Sequence, residues 1–143
     1  MHFLRLSLFI LALALSINSF CQITPKSQSI QITGDSTTKV KVIQALVSSG
    51  YLIKNVNEYS IQTDFKKMKS WNFDINVSTI NDTYTFNIFW NSNISVSYGS
   101  GISSGPQRGK CSYKGMESSA FKVGFNDLNT LVRSLGYPVT YIL

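Results

Sequence analysis

A chain of 143 residues, 43% of them hydrophobic, has the length of a single domain and enough apolar material to bury one core without disulfides. Thirteen Lys and Arg residues oppose seven Asp and Glu, and this basic balance makes an acidic partner physically reasonable. Two cysteines and one histidine exclude a disulfide-dense scaffold and leave little room for imidazole chemistry.

The first segment, MHFLRLSLFILALALSINSFCQ, places His2 and Arg5 before an apolar run from Leu6 to Leu15. This is the pattern of a secretory signal over residues 1–21, too short to span a bilayer. Ser19 and Cys21 suit cleavage after Cys21, with Gln22 as the new terminus. The competing reading acylates Cys21 as in bacterial lipoproteins, but Phe20 stands where that signal has a small residue. Simple cleavage is preferred. It removes Arg5 and His2, leaving twelve basic residues against seven acidic, a net charge of +5. Without an imidazole, Ser-His and Cys-His nucleophiles, histidine zinc sites and histidine pH switches are all excluded.

Residues 22–35 are polar and read as a tether or an edge strand, with weak alternation at Ile30 and Ile32. Asp35 or Ser36 can cap a first helix whose Val40, Ile43, Leu46 and Val47 share one face. Gly50 ends that helix and Tyr51 folds back over it. The sequence LVSSGYLI here and LVRSLGYPV near the C-terminus look alike because each stops a helix and leads into a strand, not because the chain is duplicated.

A strand from Leu52 to Val56 turns at Asn57 and Glu58. Three alternating segments follow, carrying Tyr59, Ile61, Thr63 and Phe65, then Trp71, Phe73, Ile75 and Val77, then Tyr84, Phe86, Ile88 and Trp90. Each predicts a half-buried strand. Asn81-Asp82 between the last two predicts a tight hairpin. Phe89 breaks the alternation by putting an aromatic ring on the polar face. A second helix is expected over residues 118–135, weakened by Gly124 and ended by Gly136 and Pro138, in preference to a short strand through Phe121, Val123 and Phe125 followed by a helix capped by Asn126. The fold expected for residues 36–143 is α+β: an antiparallel meander of about four strands with two helices packed on one face, in the order helix, strands, helix.

Between Asn91 and Gly115 the composition turns to Ser and Gly, which predicts a binding loop. Its SGPQRGKC only superficially suggests a phosphate loop, since Ser104 replaces the first Gly and Cys111 the metal-holding hydroxyl. No cofactor is implied. Cys111, alone after cleavage, reads as a small buried hydrophobe. The acidic residues Asp35, Glu58, Asp64, Asp74, Asp82, Glu117 and Asp127 are scattered and form no catalytic or calcium-binding pattern. Lys66, Lys67 and Lys69 form one basic cluster, and Arg108, Lys110 and Lys114 another. Lysines near turns also keep a sheet soluble, and that bland role is favoured over specific binding.

The signal ending in SFCQ and the helix, meander, helix order over Ser36 to Leu143 resemble small exported domains of unknown function from Bacteroidetes-type bacteria. That resemblance implies a secreted or envelope location and carries over no site residues. The expectation is a non-enzymatic exported domain, periplasmic or secreted, or an outer-membrane lipoprotein attached through Cys21. Its partner-contacting residues would be Phe89, Tyr98, Arg108 and Lys110, and its partner an acidic protein, a polysaccharide or an anionic lipid, not nucleic acid. The alternative is a secreted hydrolase that works without histidine, through carboxylates or Cys111.

Overall fold

The computed structural model describes residues 22–92, 96–98, 102–104 and 107–143. In chain order the elements are β1 (Ser29–Thr33), α1 (Thr38–Ser48), β2 (Ile53–Val56), β3 (Ser60–Thr63), β4 (Lys66–Met68), β5 (Trp71–Ile80), β6 (Thr83–Ser92), β7 (Val96–Tyr98), β8 (Ile102–Ser104), β9 (Gln107–Lys110), α2 (Ala120–Ser134) and β10 (Thr140–Ile142). Residues 1–21, including Cys21, lie outside the described residues.

Two ten-residue strands, β5 and β6, form the central ribbon. Asn81 and Asp82 join them with φ of 47° and 58°. Both residues are in the left-handed region, as a two-residue turn matched to strand twist requires. Each outer edge of the ribbon is shared by two short strands. On the β6 side, β1 pairs with Thr83 to Phe86 and β9 with Phe89 to Ser92. On the β5 side, β3 pairs with Asn76 to Ser78 and β4 with Trp71 to Phe73. Beyond these, β10 adds to β1 and β2 to β3.

The α+β class and two helices hold among the described residues, but the meander of about four strands does not. The sheet has eight strands, with a through order of β10-β1-β6-β5-β3-β2. The excess comes from elements too short or too polar to show a two-residue period. β4 has three residues and β9 reads Gln-Arg-Gly-Lys; β10 falls within Val139 to Leu143, which the sequence allows as an edge strand. β1, expected as a tether or an edge, lies between β10 and β6.

One face of the sheet presents Ile30, Ile32, Ile61, Phe73, Ile75, Val77, Phe86 and Ile88, all fully buried or nearly so. Val42 and Leu46 of α1 and Phe125, Leu128, Leu131 and Val132 of α2 cover it. Tyr59 and Phe65, expected to point inward, are 66% and 55% exposed, because β3 ends before reaching either.

The helix ends follow from local chemistry. Ahead of α1, the Asp35 carboxylate accepts the Thr37 backbone N–H at 2.9 Å and the Thr37 hydroxyl at 2.7 Å. At its other end Gly50 has φ 84°, Gly50 N–H donates to Val47 O, and Tyr51 N–H donates to Leu46 O. These two bonds satisfy carbonyls that a helix end leaves open. α2 is continuous through Gly124 and begins at Ser119, whose hydroxyl accepts the Lys122 N–H. Glycine is needed there for packing: a Cβ at residue 124 would lie 2.6 Å from Phe73 Cε1 and 2.7 Å from Cys111 Sγ.

Candidate functional site

Strand pairing carries Phe89 to the centre of the open face. On that face Asp74 lies opposite Phe89 on one side and Lys110 on the other, while Arg108 lies opposite Asn91. Arg108 crosses the ribbon diagonally. Its guanidinium sits 3.8 Å from the centre of the Phe89 ring and donates through Nη2 to Asp74 Oδ2 at 2.6 Å. Asn91 Nδ2 donates to Asp74 Oδ1 at 2.7 Å. The Asp74 carboxylate is buried and fully partnered, whereas the Arg108 side chain remains 51% exposed. An aromatic ring below and a carboxylate at its tip hold this cation in one place with its outer side open.

Lys110 takes a different role. Its ammonium donates to Ser29 Oγ at 2.8 Å, and Ser29 Oγ donates to Asn87 Oδ1 at 2.8 Å. Burial lowers its pKa from the ordinary lysine value. Lys110 therefore ties β9 to β1 more than it offers charge to a partner. Tyr98 closes β7 against Ile102 of β8 in a separate two-stranded ladder, and its side chain lies outside the described residues. Of the four sequence-chosen residues, the structure joins Phe89 and Arg108 directly and sets Lys110 beside them.

The broken edge of β5 makes a cleft next to this cluster. β3 stops at Thr63 and β4 starts at Lys66, so Asp64 and Phe65 bridge the gap without pairing to β5. The Ile75 N–H they leave free is taken by Thr63 Oγ1 at 2.8 Å. The resulting cleft, about 320 Å³, is lined by Gln62, Asp64, Phe65, Asn76 and the Asp74–Arg108 pair. Lys54 lines it too, from an irregularity in β2 between Ile53 and Asn55; bulges of this kind re-aim side chains. Asn76 Oδ1 is buried and has no hydrogen-bond partner. Sequence patterning assigns Asp64 and Asp74 to scattered surface charge and gives no signal for Lys54. Its pointer to the cleft is the alternation that puts Gln62 and Asp64, and then Asp74 and Asn76, on the polar side of their strands.

The remaining sequence candidates are structural. Cys111 is fully buried, and loss of water around the thiol pushes its pKa up to about 12. That disfavours the thiolate a cysteine nucleophile needs. Lys66 forms an ion pair with Asp127 at 3.3 Å, and Asp127 accepts the Tyr51 hydroxyl at 2.7 Å. These bonds fasten Tyr51, just after α1, and the start of β4 to α2. Lys114 lies over the Phe121 ring. Among the described residues no three His, Cys, Asp or Glu side chains cluster as metal ligands, and no helix is long and apolar enough to cross a membrane. Comparison with protein-family models, curated proteins and solved structures found no match.

Proposed function

We propose that the chain is an exported, non-enzymatic binding domain that acts in the cell envelope or outside the cell and uses the polar face of its sheet. The signal-like residues 1–21 support export, to the periplasm or medium, or to the outer membrane through an acylated Cys21. The observation that carries the binding assignment is the fixed, half-exposed Arg108 over Phe89 beside an open cleft. A surface cation held in advance loses little freedom when it meets a ligand.

A hydrolase reading retains Asp64 and Asp74, since both line the cleft. Asp74 is poorly suited to proton transfer because Arg108 and Asn91 engage both of its oxygens. An acid or base must exchange its proton with a reacting group within hydrogen-bond reach. Screening residues 22–143 against glycans, peptides and esters separates the two readings. Saturable binding without turnover is expected; sustained turnover abolished by Asp64→Asn or Asp74→Asn would overturn the binding assignment.

A further inference from the structure

We infer that the cleft between β3 and β4 takes a neutral, hydroxyl-rich ligand, a segment of uncharged polysaccharide. This inference rests on the polar face being a binding surface. Among the described residues the charged lining is balanced: Lys54 and Arg108 against Asp64 and Asp74. A highly anionic ligand would meet two carboxylates there, and like charges in contact oppose binding. Net basicity is therefore not the property this site uses.

The lining carries both donors and acceptors. Arg108 and Lys54 donate, Asp64 accepts, and Gln62 does both. Asn76 lines the cleft too, with an Oδ1 that has no partner in the protein and an amide nitrogen that donates. A saccharide hydroxyl meets this pattern, since each one donates once and accepts as well. Phe65, 55% exposed at the rim of the cleft, presents a ring on which the apolar face of a sugar can rest. A cleft of about 320 Å³ falls at the small end of ligand pockets, roughly 300–1,000 Å³. That size suits a short stretch of chain.

Affinity electrophoresis and calorimetry of residues 22–143 test this with a β-glucan, an α-glucan, a mannan and a xylan, and with dextran sulfate as the polyanion. At least one neutral polysaccharide should bind, with affinity changing less than about twofold between about 50 and about 500 mM salt, because no net charge is screened. Asp64→Asn and Gln62→Ala, both at exposed positions, should each weaken binding about tenfold or more, the scale of a lost charged or paired hydrogen bond. The inference fails if only dextran sulfate binds and salt abolishes that binding, or if neither variant changes the affinity. It also fails if no neutral polysaccharide binds while a photo-crosslinker at Lys67, exposed beside the cleft and opposite Asn72 on the same face, still captures envelope material that glycosidases leave intact; in that case the binding face stands and the ligand class does not. An absence of Lys67 adducts together with an absence of polysaccharide binding removes both.

Discussion

The guanidinium of Arg108 rests over the ring of Phe89, 3.8 Å from its centre, and reaches across it to Asp74. Phe89 is thus the platform that aims a cation, not an isolated hydrophobe on a polar face. Arg108→Ala should destabilise the domain by about 1–3 kcal/mol, since it leaves buried Asp74 with Asn91 as its remaining side-chain donor. In a double-mutant cycle with Phe89→Leu, urea unfolding should give a coupling energy of about 0.5–2 kcal/mol. Additive losses would mean that the ring and the guanidinium are merely neighbours.

Gly124 should resist substitution by the best helix former. In an exposed helix, Gly to Ala gains roughly 0.5–1 kcal/mol. Here the added methyl meets Phe73 and Cys111, and overpacking of a filled core costs about 1–3 kcal/mol. Gly124→Ala should therefore lower the urea midpoint, and a rise would show that the α2–sheet contact is looser than described.

The buried thiol gives a defined alkaline signature. Cys111 titrates near 9.0 ordinarily and at about 12 in the fold. The unfolded chain therefore loses its proton first as pH rises. Stability from this group is complete below pH 9 and declines towards pH 12, by about 1.4 kcal/mol per pH unit within the window. Cys111→Ala should flatten that part of the stability profile. Thiol reagents should modify the native wild-type protein only as fast as it opens, and prompt modification would contradict the burial.

At the opposite end of the scale, Asp35 is held down to about 2 from an ordinary 3.8 by hydrogen bonds from the Thr37 hydroxyl, the Thr37 backbone N–H and the Thr38 hydroxyl. A depressed carboxylate stabilises above its unfolded pKa and loses that effect as pH falls through its folded one. The thermal midpoint of Asp35→Ala should lie below that of the wild type at neutral pH. The gap should close as pH falls from about 4 to about 2. A gap independent of pH would assign the loss to something other than this charge.

Local patterning locates both helices and the β5–β6 hairpin: Phe125, Leu128 and Val132 recur at helical spacing, and Asn81-Asp82 is turn chemistry visible in two letters. The face expected for α1 is corrected, since Val40 and Val47 are 57% and 55% exposed and the helix buries Thr38, Val42 and Leu46 instead. The interior position of Ser29–Thr33, within the stretch 22–35 expected as a tether or an edge, depends on pairing with Thr83–Phe86 and Thr140–Ile142, far away in sequence. Gln107–Lys110 carried no apolar signal at all; Gly109 is there because a side chain would strike Trp90. The site divides in the same way. Phe89 and Arg108 stood out by pattern and charge, but Asp74, 34 residues from Arg108, acquires its meaning only from strand register. The notch bordered by exposed Asp64 and Phe65 exists because β5 is flanked by two short strands rather than one long one.

The most direct measurement is paired photo-crosslinking in the producing cell, with the reactive group placed at exposed Lys67 on the polar face of the sheet or at exposed Val47 on α1. A specific adduct from Lys67 that Arg108→Ala diminishes, and none from Val47, is expected. Adducts from Val47 but not Lys67, or Lys67 adducts indifferent to Arg108→Ala, would contradict the assignment of the polar face as the binding surface.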